Sequence, residues 1–249
     1  MFLYQTQRAA FFKTGRHDVK KHIFYTEMAY LLGTLILALG TAMTERGGFG
    51  ISMVVAPAYL LHLRLSQLWT WFTFGVAEYL LQAVVLLLLA VLMRRGKIYY
   101  LLSFVNTVVY GLVLDGFIRL LAWVPAVGLW QRLALYIPGV LLCCLGISLL
   151  FHSYLPPAAY ELFVKEIAKR FHKPIHSCKT VYDIVSLTAA TVMSFAFFGG
   201  IQGIGIGTVA CAFTYGIVIR FFSKHLERIW HFRDRFTLRK YFTEREEKQ

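Results

Sequence analysis

Long apolar runs separated by short polar or glycine-rich stretches dominate the chain. Six of them, roughly 26–43, 68–93, 98–123, 133–151, 181–198 and 204–222, match or approach the length that a helix needs to cross a bilayer core, about 20 residues. A seventh run, 51–63, is too short to cross and is bounded by Gly47-Gly48 and Arg64. It predicts an interfacial or re-entrant element, with a short tilted span as the weaker alternative. After Pro156-Pro157 the pattern changes. Tyr160, Phe163, Val164, Ile167 and Phe171 recur at three- and four-residue spacing, and Glu161–Lys165 and Glu166–Arg170 stand four apart on the other face. That pattern predicts an amphipathic helix lying at the membrane interface.

The order of landmarks repeats. Gly33 and Gly40 in the first span are matched by Gly139 and Gly146 in the fourth, each pair seven apart. Ala56-Pro57-Ala58-Tyr59 then corresponds to Pro157-Ala158-Ala159-Tyr160, Glu78 to Asp183, and Asn106-Thr107 to Gly207-Thr208. Each half holds three spans, an odd number, so the second must run in the opposite sense. The expected fold is all-α: a polytopic membrane protein of six transmembrane helices, built as a three-plus-three inverted repeat with a short amphipathic or re-entrant element in each half. Such repeats recur in secondary transporters, with the site near the midplane. The chain divides into a basic N-terminal segment (1–24), a first repeat (25–123), a second repeat (124–222) and a charged C-terminal tail (223–249).

Composition agrees with this reading. The chain has 249 residues, 58% of them hydrophobic and only 16% charged, against about 25% charged in soluble domains. That excludes a soluble enzyme, a secreted disulfide scaffold and a disordered tail. The four cysteines are not placed for disulfides.

The formal net charge is +13, which by itself could suggest an acidic partner. However, 22 of the 26 Lys and Arg residues fall before the first span, between spans two and three, between spans four and five, and from Arg220 onward. With six spans these segments share one side of the membrane, so the charge predicts orientation, with both termini cytoplasmic. Contact with anionic lipid headgroups is the expected partner chemistry, and nucleic-acid binding is not expected. A homodimer is left open.

Ionisable groups inside spans mark candidate chemistry, because burying them in hydrocarbon costs a few kcal/mol or more. Glu78 lies within the second span and Asp183 near the inner end of the fifth, at the corresponding place in the repeat. Both could face a central cavity and bind a cation, a proton or a substrate's amine. For Asp183 the competing reading is an interfacial acid held by the helix dipole and Lys179. Asp115 has Arg119 one turn on, and a pair within one helix is the simpler expectation there.

Gly205, Gly207 and Thr208 open the last span. They offer close helix packing or an anion-facing row of N–H groups, with packing favoured. Asn106, Thr107 and Tyr110 share a face of span three and are the natural polar partners of Thr208. Tyr59, in the first short element, completes the candidate binding set. His172, His176 and Cys178 come close in sequence, but Pro174 interrupts their spacing and no fourth ligand is apparent, so no metal is expected. No cofactor is expected, and no nucleophile elbow, HExxH or phosphate loop points to an enzyme.

The glycine-punctuated first span, the Ala56-Pro57-Ala58-Tyr59 element and the Gly203-Ile204-Gly205-Ile206-Gly207-Thr208 stretch resemble the YitT/YczE-type bacterial integral membrane proteins, over roughly residues 28–222. The second short element lacks the Asp and Gly usual in that family. The resemblance implies the fold and a bacterial inner membrane, and supplies no substrate. The functional expectation is a small secondary transporter or permease with a midplane site for an unidentified small molecule or ion. The alternative is a non-transporting accessory or scaffold protein acting through its tail, where Trp230, Phe232 and Phe236 lie at roughly helical spacing. A lipid-modifying intramembrane enzyme ranks below both.

Overall fold

The structure, a computed structural model, describes residues 22–93, 98–155, 158–173 and 175–234. The leader through residue 21, the basic turn 94–97, Pro156-Pro157, Pro174 and the tail beyond residue 234 lie outside the described residues, so the expectations placed on them stay as stated above.

In chain order the elements are β1 (His22–Tyr25), α1 (Thr26–Gly47), α2 (Ala56–Leu65), α3 (Phe74–Met93), α4 (Ile98–Leu121), α5 (Leu129–Phe151), α6 (Ala159–Arg170), α7 (Ile175–Phe198), α8 (Ile206–Ile229) and β2 (Trp230–Arg233). Six helices are long and apolar enough to cross a membrane: α1, α3, α4, α5, α7 and α8. Val84, Leu87, Leu88 and Val91 on α3, and Phe213, Ile217 and Phe221 on α8, are exposed. Apolar bands of this kind suit lipid, not water. The chain is a multi-pass membrane protein.

The fold is not purely helical. β1 and β2 pair in parallel, His22 opposite Trp230 and Tyr25 opposite Arg233. The pairing joins segments from the two ends of the chain, a non-local contact that local sequence pattern does not carry. It also brings the start of α1 and the end of α8 to one end of the bundle. Thr26 Oγ1 donates to Asp234 at 3.0 Å and the Tyr154 hydroxyl donates to Glu27 at 2.9 Å. Burial, with the neighbouring Glu27, pushes that phenol well above its ordinary range, so it stays a donor.

At the centre of the bundle α1 crosses α5 through the predicted glycines. A Cβ on Gly33 would stand 3.0 Å from the Gly146 carbonyl oxygen. One on Gly40 would stand 2.7 Å from both the Gly139 carbonyl oxygen and the Cys143 nitrogen. Glycine here lets two backbones touch, the usual way helices pack where lipid removes the hydrophobic drive. Gly75 and Gly111 bring α3 against α4 in the same way.

Polar side chains at the helix ends close the frame. Arg46 donates to the carbonyls of Ala122 and Val124, just past the end of α4. Arg132 donates to those of Gly47 and Gly48, at the end of α1. Both satisfy carbonyls that a helix C-terminus leaves unpaired.

Asp115 differs from the expectation of a pair along its own helix. It accepts from the Thr73 hydroxyl and from Gly75 N at 2.8 Å, capping the start of α3 from the neighbouring helix. This contact also helps to explain why α3 begins at Phe74 and not near Leu68, with Trp69 and Trp71 left exposed in the preceding turn. An Asp115→Ala variant should lose about 1–2 kcal/mol of stability, as helix-cap removals do, read as a lowered unfolding midpoint in detergent.

The two short elements are set inside the bundle. Ile51, Met53, Val54 and Val55 are buried ahead of α2, which starts with Pro57 in its first turn and packs between α3 and α7. In turn α6 packs between α7 and α3. The interfacial expectation for α6 does not hold: Glu161 and Glu166 are buried, and Phe171 of the expected apolar stripe is exposed. Lys165 and Arg170 of the i,i+4 pairs are exposed, but neighbouring helices cover their acidic partners Glu161 and Glu166.

Candidate functional site

The starts of α2 and α6 meet at one cavity. It is lined by Leu37 and Thr41 of α1, Ser52, Val54 and Val55 before α2, Gln82 of α3, Tyr110 of α4, and Cys143 and Ile147 of α5. Ala158, Tyr160 and Glu161 at the start of α6, Lys179 of α7 and Tyr215 of α8 complete it. Residues from every long helix and from both short elements therefore reach this one space. The space open to the centre of a water molecule is about 30 Å³, room for one or two waters.

A hydrogen-bonded network forms one wall. Gln82 is its hub: its Oε1 accepts from Thr107 Oγ1 at 2.8 Å and from Ala159 N at 3.0 Å, and its Nε2 donates to Glu78 Oε2 at 3.3 Å. The Tyr160 hydroxyl donates to the same carboxylate oxygen at 2.8 Å. Glu78 is 0% exposed and its other oxygen, Oε1, has no hydrogen-bond partner among the described residues. The α6 start, by contributing both Ala159 N and Tyr160, ties the second half of the chain to α3 and α4 of the first. Across the cavity Thr41 gives its proton to the Leu37 carbonyl, so the Tyr110 hydroxyl is the donor in their 3.0 Å contact.

The other charges lie on the opposite wall. Glu161 and Tyr215 are 5% and 2% exposed; among the described residues Glu161 Oε2 has no hydrogen-bond partner and the Tyr215 hydroxyl has none beyond the neighbouring Cys143 and Cys211 thiols. A buried polar atom without a partner costs about 1–3 kcal/mol, more when it is charged. Lys179 forms a buried ion pair with Asp183 one turn along α7. The same ammonium also acts on Glu161, so one positive charge serves two carboxylates.

The predicted residues divide into two places. Glu78 and Thr107 hydrogen-bond to Gln82, Asp183 holds Lys179 at the cavity, and Asn106 is buried beside Thr107 in the chain. Thr208, Gly205, Gly207 and Tyr59 are not brought to them. Thr208 accepts from Gly205 N at 3.2 Å as α8 starts, and Gly207 N donates to the Phe49 carbonyl at 3.0 Å. Cβ atoms on Gly205 and Gly207 would stand 2.0 Å from the Phe49 oxygen and 2.2 Å from the Tyr136 hydroxyl. These glycines admit the turn after α1, and Thr208, three residues into α8, is too near the helix start to meet Thr107 or Tyr110 in mid-α4. The Tyr59 ring packs edge-on to Phe74 at 5.3 Å.

Residues that sequence reading did not single out are Gln82, Tyr160, Glu161, Lys179, Tyr215 and Ser52. Gln82 carried a usable signal, an amide one turn from an acid inside an apolar span. Among the described residues no three His, Cys, Asp or Glu side chains gather as a metal site.

Residues 24–224 match a family of unknown function, DUF6198, and the chain belongs to that family. It is 27% identical over 208 residues to an uncharacterized protein of Haemophilus influenzae, an alignment covering 83% of this chain and 88% of that one. No solved structure matches it.

Proposed function

We propose that the protein is a small secondary transporter, with residues 25–123 and 124–222 as inverted repeats around a midplane site at the central cavity. The observation that carries the reading is the convergence of seven helices and the segment leading into α2 on one internal space beside a fully buried carboxylate, Glu78, whose Oε1 has no hydrogen-bond partner among the described residues. Buried ionisable groups are costly in a membrane, and where they face a bundle interior they mark ion and substrate paths.

The contacts support the repeat. Gly33 meets Gly146 while Gly40 meets Gly139, the reciprocal pattern of a two-fold axis between equivalent helices. Likewise α2 packs on α7 while α6 packs on α3, and α1–α4 has its counterpart in α5–α8. Even Arg46, which reaches the end of α4, has a counterpart in His152, whose Nε2 lies 3.2 Å from Glu227 near the end of α8. Short helices whose N-termini point at the centre suit a transporter built on interrupted helices. The YitT/YczE-type likeness, the distribution of Lys and Arg and the shared end of α1 and α8 support a bacterial inner-membrane location with both termini in the cytoplasm.

In this reading Glu78 binds the cationic group of the cargo, an amine or a small ion, and Tyr160 and Gln82 hold its carboxylate in place. The test is an unfolding screen of the purified full-length protein against small amines and inorganic ions at fixed sodium concentration. At least one compound should raise the midpoint, and Glu78→Gln should fold as well as wild type yet lose that shift. An equal shift in Glu78→Gln would overturn the assignment of Glu78.

A further inference from the structure

The cavity holds more acceptor capacity than its own donors use. Thr41, Ser52, Gln82, Tyr110, Tyr160, Glu161 and Tyr215 present oxygen to it. The Tyr110 and Tyr160 protons are directed to Thr41 and Glu78, and the Thr41 proton to Leu37. Among the described residues Glu161 Oε2 has no hydrogen-bond partner and the Tyr215 hydroxyl has only the Cys143 and Cys211 thiols near it, and both side chains are at least nine-tenths buried. The cationic side chain that lines the cavity, Lys179, is paired with Asp183 and also acts on Glu161, so one ammonium faces two carboxylates. That leaves a negative charge which the described side chains do not balance.

The chemistry of that partner follows from the lining. Hydroxyl and carboxyl oxygens suit a hard cation. Glu161 is the one acid among the lining residues and no histidine joins it, so the charge balances a monovalent ion, not a divalent metal. Room for one or two waters admits a bare ion and excludes an organic amine while the cavity is closed.

We propose that the cavity binds one dehydrated alkali cation of sodium size, held by Glu161 Oε2 and the Tyr215 hydroxyl of the second half and the Ser52 hydroxyl of the first. The proposal rests on the transport reading for its role, since an ion gripped from both halves couples their closure to ion binding. It stands apart from that reading in its residues. Glu78 lies behind Tyr160 and Gln82 and is not a ligand, and the ion faces Glu161.

The test uses full-length protein in neutral detergent, dialysed into choline chloride and titrated with sodium, lithium or potassium chloride at constant ionic strength. Sodium should raise the unfolding midpoint along a saturating curve, potassium should need several-fold higher concentrations, and choline should do nothing. Glu161→Gln should flatten the sodium curve, and Tyr215→Phe should move it to several-fold higher sodium. Glu78→Gln should keep the sodium response even where it loses response to an amine, so the two readings fail separately. Equilibrium binding of radioactive sodium to wild type and Ser52→Ala, expected to be weakened several-fold, covers the case in which Glu161→Gln does not fold. A midpoint that follows only pH, an equal rise with every chloride salt, or an unchanged sodium curve in Glu161→Gln would each overturn the proposal.

Discussion

A Gly40→Leu variant should not accumulate as folded protein, whereas a leucine at the lipid-facing neighbour position of the same helix, Leu35, is native. The Cβ at position 40 would stand 2.7 Å from two backbone atoms of α5, and backbone cannot rotate aside as a side chain can. Gly40→Ala already forces the two helices apart and should cost on the order of 1–3 kcal/mol, the usual range for overpacking. The leucine adds three more carbons at the tightest part of the bundle. Membrane-fraction yield and monodispersity after detergent extraction give the readout. The reciprocal contact makes a second expectation: Gly139→Leu should fail in the same way, because its Cβ would meet the Gly40 carbonyl at 3.0 Å.

Lys179→Met should destabilise the protein by about 3–5 kcal/mol, because it strands a buried Asp183 carboxylate. Both side chains of the pair are largely buried, so solvent screening does little to soften the loss. The double variant Lys179→Met/Asp183→Asn removes both charges and should recover most of that stability. Chemical denaturation of wild type, the two single variants and the double variant closes the cycle, and the coupling between the two positions should account for most of the single-variant loss. If Lys179→Met unfolds at the wild-type midpoint, the pair is not buried in the protein as described.

Apolar run length located all six spans, with ends differing by up to seven residues, since a helix in lipid must satisfy its backbone within itself and so needs an unbroken apolar stretch. The seven-residue glycine spacing was legible as a repeated landmark, and it puts both glycines on one helix face; that the two faces meet each other comes from the assembled bundle. Glu78 stood out for the same reason that makes it informative: an acid is rare in such a run. Glu161 did not stand out. In a helix read alone it belongs to a charged face with Lys165, and only the packing of α6 between α3 and α7 turns that face inward.

Gly205, Gly207 and Thr208 formed a clear motif, but what they meet is the turn at Phe49, far away in the chain. Asp115 likewise points to a helix start some 40 positions earlier, where its carboxylate accepts from Gly75 N, and β1 and β2 pair across nearly the whole described chain. Contacts between distant segments are set by the assembled bundle, and local pattern does not encode them.

A secondary transporter must open this cavity to water in turn on the two sides of the membrane. Cys143 lines it, while Cys144 beside it is buried but does not. With the other cysteines replaced, Cys143 should react with a charged, membrane-impermeant thiol reagent in both right-side-out and inside-out vesicles, and Cys144 tested alone should react in neither. A Cys143 thiol inert from both sides would contradict transport and favour a closed scaffold.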